Sequence, residues 1–300
     1  MPRRFATLDV FTADPLTGNP LAVVLDADGL ESDAMQAIAR EFNLSETVFV
    51  LSPEEARQRA DIRIFTPIRE LPFAGHPTVG PAVLLALLDQ DGKPGASAFG
   101  LKEKVGIVSC AVDIANASGG RARFRLPKLP TVAGSGRENS DCARALGLDP
   151  VEIGFDRHVP SRHSAGVPFD LVPVSSLDAL SRARPNVELF NQTFDDSDHP
   201  AAYVYARLAD EDGVRFRARM FGLGMGIRED PATGSAAAAF AGALMQCEPL
   251  GEGEHDIVIE QGVEMGRPSV INLQMVIKDG ALVSAEIGGN AVVISRGELL

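Results

Sequence analysis

Four polar clusters in this 300-residue sequence combine residue types that could do chemistry. The first is Asn43-Leu44-Ser45-Glu46-Thr47, where Glu46 stands directly ahead of the β-branched and aromatic pattern Thr47 to Leu51. A carboxylate beside such an apolar strand can be partly desolvated, which raises its pKa toward the range useful for proton transfer. An exposed glutamate at a helix–strand turn would give the same pattern, and most glutamates are exposed. The second cluster, Pro72-Phe73-Ala74-Gly75-His76-Pro77-Thr78, puts His76 at a helix start. There the N–H groups point outward and the helix dipole disfavours an imidazolium. A neutral histidine in that place could hold a substrate oxygen; a loop histidine of no consequence is an equal alternative.

The third cluster is Glu229-Asp230-Pro231-Ala232-Thr233-Gly234-Ser235. Hydroxyls and a glycine at a helix N-terminus are what an anion site requires, namely free N–H donors with no side chain in the way. Ordinary N-capping requires the same residues and is commoner. The fourth, Glu260-Gln261-Gly262 followed by Met265-Gly266-Arg267-Pro268-Ser269, says by itself only that the chain turns.

Other chemistries lack their residues. Gly222-Leu223-Gly224-Met225-Gly226 is not a G-x-G-x-x-G opening a helix after a strand, and there is no phosphate-loop lysine pattern. His158 and His163 are not spaced as a helical zinc pair, and no His-Glu-x-x-His occurs. None of Lys93, Lys102, Lys104, Lys128 and Lys278 lies in a polar cluster, which weakens a pyridoxal Schiff base. A two-cysteine racemase would need thiols in the helix-opening turns, and neither turn has one. No metal or organic cofactor is therefore expected.

The elements that must position these clusters can be read from pattern. Strands are expected at Ala6 to Phe11 and Leu21 to Leu25, with Asn19-Pro20 in the turn between them. Ser32 can cap a helix whose Met35, Ile38, Ala39 and Phe42 recur at helical spacing. Pro77 suits a first helical turn, and Val79 to Leu88 is apolar nearly all round. The alanine-rich run Ser235 to Met245 is the second such helix. A helix with no polar face is buried on every side. Arg121 to Leu126 alternates arginine with apolar residues, as do Arg215, Arg217 and Arg219 with their neighbours; a solvated sheet face accounts for both rows.

Length implies two domains. The Ala117-Ser118-Gly119-Gly120 stretch is the boundary candidate, giving residues 1–118 and 119–300, with the final strand of the chain able to return to the first half. Both halves share one plan of strands, a Gly/Thr-containing turn, one buried helix and more strands. The expected class is α+β, two similar domains each a curled sheet around a central helix; too few amphipathic helices remain to cover a doubly wound sheet. A net charge of −13 argues against a nucleic-acid partner and against docking on anionic lipid. The apolar runs fall short of the roughly 20 residues that span a bilayer, and no signal-peptide core forms at the basic N-terminus. Three dispersed cysteines, Cys110, Cys142 and Cys247, fit reduced thiols in a cytoplasmic protein.

These segments together are familiar. Asn43 to Thr47, Glu70 to Thr78 and Glu229 to Ser235 resemble the signature segments of the phenazine-biosynthesis PhzF-like isomerase family. Asp9-Val10-Phe11, Gly18 to Ala22, and Gln261-Gly262 with Gly266 to Ser269 are similar to the same family in the same order. The resemblance implies a diaminopimelate-epimerase-like fold with the site between its two domains, and a homodimer working without cofactor on a small anionic metabolite. It assigns the acid–base role to Glu46 and substrate holding to His76, Asp230 and Ser235, with Gly75 and Gly234 lending backbone. Ser164-Ala165-Gly166 stands where the family has Ser-Thr-Gly, and Leu223 where a proline is common. The implied activity is proton movement on a small unsaturated or cyclic carboxylate. An amino-acid epimerase or racemase on the same fold, and a non-catalytic binding protein, are the alternatives.

Overall fold

The computed structural model describes residues 2–194, 200–209, 214–225 and 227–300, so Gly226 of the glycine-rich segment lies outside the described residues. The chain divides into two compact units, Met1–Pro127 together with Ile287–Leu300, and Lys128–Glu286.

The first unit runs β1 (Arg3–Val10), β2 (Asn19–Val24), α1 (Ser32–Phe42), β3 (Glu46–Leu51), β4 (Gln58–Phe65), β5 (Glu70–Leu71), α2 (His76–Asp89), β6 (Gly95–Glu103), β7 (Gly106–Asn116) and β8 (Gly119–Arg125). Helix α1 is amphipathic and lays Met35 and Ala39 against Val24, Phe49 and Phe65. Ser32 is its first residue and not its cap; the Ser32 hydroxyl instead accepts a 2.9 Å bond from Arg63. Helix α2 is different in kind, because every residue from His76 to Leu87 is buried. It packs on β1, β2, β3, β6, β7 and β8, and Gly80 permits the closest approach, since a Cβ there would lie 2.6 Å from Leu21 Cδ2.

Strand pairing shows how one helix can be covered on all sides. β1 pairs with β2 and with the end of the last strand, β17 (Ala281–Leu299), in a register from Arg3↔Leu299 to Val10↔Ala291. From β2 the ladder continues through β3, β4, β6, β7 and β8, with the short β5 on β4. β8 pairs in turn with β17, where Val293 N–H donates to Ser118 O. The ladder thus returns on itself around α2, a closure that removes the open edges of its main strands.

The Ala117–Gly120 stretch therefore joins β7 to β8 inside the first unit, and the chain leaves that unit after Pro127. Asn116 makes this turn tight, its Oδ1 accepting from the Ser118 and Gly119 N–H groups and the Ser118 hydroxyl.

The second unit contains β9 (Thr131–Gly134), α3 (Asn139–Leu146), β10 (Ser161–Ser164), β11 (Pro168–Pro173), α4 (Leu177–Arg182), α5 (Val187–Phe194), β12 (Ala202–Leu208), β13 (Val214–Gly222), β14 (Ile227–Asp230), α6 (Gly234–Cys247), β15 (Gly253–Gln261), β16 (Ser269–Lys278) and the start of β17. Its ladder is β9–β10–β11–β12–β13–β15–β16, parallel at β11–β12 and β13–β15. Helix α6 is the counterpart of α2: from Ala236 to Leu244 it is wholly buried, and it packs on β9, β10, β11 and β16. Helices α3, α4 and α5 bury Leu146, Leu180, Phe190 and Phe194 against Val172, Val204 and Phe221.

The arginine rows divide. Arg121, Arg123 and Arg125 are exposed while Ala122, Phe124 and Leu126 are buried, as alternation requires. Arg219 departs from the solvated face expected of it and is 4% exposed. Glu229 accepts from it at 2.8 and 2.9 Å, and the Leu180 and Ala183 carbonyls at the end of α4 each accept at 2.9 Å. A cation with a carboxylate and helix C-terminal carbonyls around it can be buried where a lone one cannot.

The core around α6 is aromatic. Phe240 lies with its ring centroid 4.6 Å from Tyr205 and 5.0 Å from Phe216. Phe240→Ala should lower the unfolding free energy by about 3–5 kcal/mol, the usual range for a buried phenylalanine. Chemical denaturation followed by far-UV circular dichroism checks this, and a loss below about 1 kcal/mol would mean that the packing around α6 is loose.

Candidate active site

Three chain ends meet in the first unit. β2 and β3 run parallel, with Leu21 opposite Glu46, so the residues that open both strands lie at one end of the sheet. Asn19 opens β2, Glu46 opens β3, and His76 opens α2 at that same end. Asn19 is fully buried, His76 is 4% exposed, and the Glu46 side chain 14%. The loop ahead of β2 is tied down by Asp9, whose Oδ2 accepts from Leu16 N–H at 2.7 Å.

His76 is held from two sides. Asn19 Nδ2 lies 3.4 Å from its Nδ1, and Glu46 Oε2 lies 3.3 Å from its Nε2. Burial pushes the imidazole down to about 3, so it is neutral at any ordinary pH. An amide NH2 can only donate, so Nδ1 is the acceptor and the ring proton sits on Nε2, facing Glu46. The neutral imidazole expected of a helix start is thus present, with burial as its cause. Gly75, the cap residue of α2, lends its carbonyl to Thr78 and Val79 N–H.

The second unit has its own polar group at the start of α6. Asp230 ends β14, Gln261 ends β15, and Thr233 is the cap residue ahead of Gly234 and Ser235. The Thr233 hydroxyl donates to Asp230 Oδ2 at 2.5 Å, and Gln261 Nε2 donates to Asp230 O at 2.8 Å and to Thr233 Oγ1 at 3.0 Å. Gln261 Oε1 accepts from Thr233 N–H at 3.1 Å. Gly262 must be a glycine here: its φ is 75°, and a Cβ would lie 2.6 Å from Pro231 O. No side chain caps α6, because the Thr233 hydroxyl is turned to Asp230. The first-turn donors at Gly234 and Ser235 are consequently left to whatever approaches the helix start.

The structure thus brings Glu46, Gly75 and His76 together in one unit, and Asp230, Gly234 and Ser235 together in the other. Among the described residues no three His, Cys, Asp or Glu side chains converge as a metal-ligand set. All three cysteines are buried without disulfide partners. No helix among the described residues is long and apolar enough to cross a membrane.

The family model described as phenazine biosynthesis-like protein, PhzC-PhzF, matches residues 8–297. The chain belongs to this family. An uncharacterized isomerase of Mesorhizobium japonicum is 48% identical over 300 residues, covering 99% of this chain and 98% of that protein. The trans-2,3-dihydro-3-hydroxyanthranilate isomerase of Pseudomonas fluorescens is 36% identical over 300 residues, covering 99% of each. Among solved structures, the PhzF-family phenazine biosynthesis protein of Bacillus anthracis is similar with a TM-score of 0.86 at 27% identity, covering 100% of this chain and 99% of that one.

Two residues of this PhzF-like protein join the site without having been singled out from sequence. Asn19 was legible only as part of an Asn-Pro turn, yet it orients His76. Gln261 reads in the sequence only as part of a turn, although it continues the inward face of Ile257 and Ile259, both buried. A polar residue in line with a buried apolar row is the signal that could have found it.

The neutral state of His76 has a measurable consequence. An unfolded chain binds the imidazole proton below about 6.5 and the folded one only near 3, so between these values the unfolded state holds more protons. Stability must therefore fall as pH falls through that window. We expect the His76 ring nitrogens in a 15N spectrum to stay in the neutral Nε2–H form down to pH 4, about one unit above the folded value. A titration midpoint near the ordinary value would contradict the burial argument.

Proposed function

We infer that this PhzF-like isomerase moves a proton on a small unsaturated or cyclic carboxylate, without a cofactor, using Glu46 as both acid and base. The observation that carries the inference is the 3.3 Å approach of Glu46 Oε2 to Nε2 of a buried, neutral histidine. A proton shuttle needs one fixed group in a place where little water competes. An imidazole pushed down to about 3 is too weak a base to hold an added proton at neutral pH, which leaves the transfer to Glu46 beside it.

In this mechanism the Glu46 carboxylate removes a proton from a carbon activated by a conjugated, carboxylate-bearing system. The electron pair left behind spreads into that system, and the same carboxyl group returns the proton at another carbon, so no atoms are gained or lost. Gly234 and Ser235 N–H groups at the start of α6 would take an anionic substrate oxygen. Asp230, steadied by Thr233, and His76 would fix the substrate's pose, with Gly75 lending backbone. The architecture proposed for this chemistry is the diaminopimelate-epimerase-like one of two similar domains. One 14-residue buried helix in each unit supports it. A homodimer is part of the same proposal, which sedimentation velocity would check.

The first probe is trans-2,3-dihydro-3-hydroxyanthranilate, for which the Pseudomonas fluorescens relative is named. Incubation in D2O with chelator-treated protein should isomerise it with solvent deuterium at the carbon that gains the proton. Glu46→Gln keeps shape but removes the base, so turnover should fall by roughly 10²-fold or more while ligand binding persists. Equal turnover by Glu46→Gln and the parent protein would end the assignment of Glu46. Activity that returned only on adding a metal or cofactor would end the cofactor-free part. Exchange at the α-carbon of an amino acid with loss of chirality would show an epimerase instead.

A further inference from the structure

Glu103 is a buried acid that the mechanism above does not use. It ends β6, is 4% exposed, and follows buried Leu101 on the inward face of the strand. From there its Oε1 reaches the Thr78 hydroxyl at 2.7 Å. The same hydroxyl lies 2.7 Å from Ala74 O. Thr78 is in the first turn of α2, two residues beyond His76, and Ala74 is two residues before it.

A threonine hydroxyl has one proton to donate and lone pairs with which to accept. Ala74 O is a carbonyl and can only accept, so the Thr78 proton goes to it. The contact with Glu103 must then be made by a proton on Glu103, which an ionised carboxylate does not have. The surroundings agree. Glu103 Oε2 is buried without a hydrogen-bond partner among the described residues, a position far costlier for a carboxylate than for a neutral acid. The neighbouring lysines are turned elsewhere, Lys104 to Glu70 at 2.6 Å and Lys102 to Glu54 and Asp61. From β7 the titratable group beside it is the Cys110 thiol, which burial pushes up, so it stays protonated.

We propose that Glu103 is a positioning residue, held as a neutral carboxylic acid, whose proton fixes the Thr78 hydroxyl and through it the turn Ala74–Thr78 that aims His76. Helix α2 has no side-chain cap. Beside the backbone bonds from Thr78 and Val79 N–H to Gly75 O, the Glu103–Thr78–Ala74 chain is what ties its first turn through side chains to the preceding loop. Burial raises the Glu103 carboxyl to about 8 while the Thr78 hydroxyl draws it back down. Above that pH the ionised group can only accept, the Thr78 proton must choose between two acceptors, and the turn loses one of its two bonds. The effect on catalysis rests on the roles proposed for Glu46 and His76; the protonation and the turn do not, and they are tested without activity.

Glu103→Gln is the decisive variant, because its amide NH2 donates to Thr78 at every pH and carries no titratable proton. Between 4.5 and about 8 the folded parent keeps a proton that the unfolded chain has released, so its stability must fall as pH rises through that window. Thermal midpoints of the parent minus those of Glu103→Gln, measured from pH 5 to 9, should therefore decline with pH and level off above about 8. The His76 ring resonances should shift between pH 7 and 9 in the parent and stay fixed in Glu103→Gln. A flat difference curve, or the same alkaline shift in both proteins, overturns the proposal. Should Glu103→Gln fail to fold, Thr78→Val must abolish the alkaline shift of His76 and Thr78→Ser must keep it; any other pattern also overturns the proposal. With substrate, kcat of Glu103→Leu should fall roughly tenfold or more, as misplacement of a catalytic group does, with KM little changed and with Glu103→Gln restoring it at pH 7. If Glu46→Gln leaves turnover intact while the His76 shift behaves as expected, the catalytic roles fail and the positioning of α2 stands.

Discussion

Helix α2 has no side chain with which to meet water over most of its length. Every residue from His76 to Leu87 is buried, so the helix exists only if something covers its entire circumference. A flat sheet covers one stripe of a helix. The ladder that returns on itself from β17 through β1 to β8 covers all of it, and closure also removes the open edges that a long sheet would otherwise present. Enclosing the helix encloses its first turn as well, including the histidine that opens it. The low proton affinity of His76 follows from that enclosure and needs no special partner.

Enclosure also decides which residues can become functional. A buried helix start is acceptable only if its polar groups find partners or are kept for a ligand. The parallel pairing of β2 and β3 sends two strand openings to the same end, so Asn19 and Glu46 arrive there from separate parts of the sequence. Asn19 takes up Nδ1 of His76, which leaves Nε2 on the side of Glu46, 3.3 Å from its Oε2. Three residues from three elements thus act as one unit because a single packing demand placed all their chain ends together.

Much of this was legible because composition and periodicity report burial directly. Two apolar runs identified the central helices, and alternation identified β8 down to the exposure of Arg121, Arg123 and Arg125. Glu46 and His76 were legible as chemical types next to apolar elements. The failures have equally definite causes. Ala117–Gly120 has the composition of a linker, but Asn116 folds it into a hairpin turn, and side-chain bonding of that kind is invisible to composition. Alternation placed Arg219 on a face of β13 without saying that the end of α4 lies over that face. Asn19, Gln261 and Glu103 are polar residues buried by partners distant in sequence, from 25 residues away for Thr78 and Glu103 to 57 for Asn19 and His76.

The two central helices treat their hydroxyls alike, and this bears on how such a site can be built. Thr78 and Thr233 each stand in or beside a first turn where a hydroxyl commonly caps the helix. Neither does so: Thr78 is bonded back to Ala74 and to Glu103, and Thr233 is bonded to Asp230. In both places a carboxyl group occupies the hydroxyl, and neither helix has a side-chain cap. A capped helix start is satisfied and presents nothing to a ligand. An uncapped one has donors to offer, but it must be held in place by some other means. Diverting the threonines into bonds with Glu103 and Asp230 supplies that means without a side-chain cap on either helix. The buried carboxyl groups are therefore best understood as what holds the two helix starts in place, and at Glu103 the proposed proton is a condition on which that geometry depends.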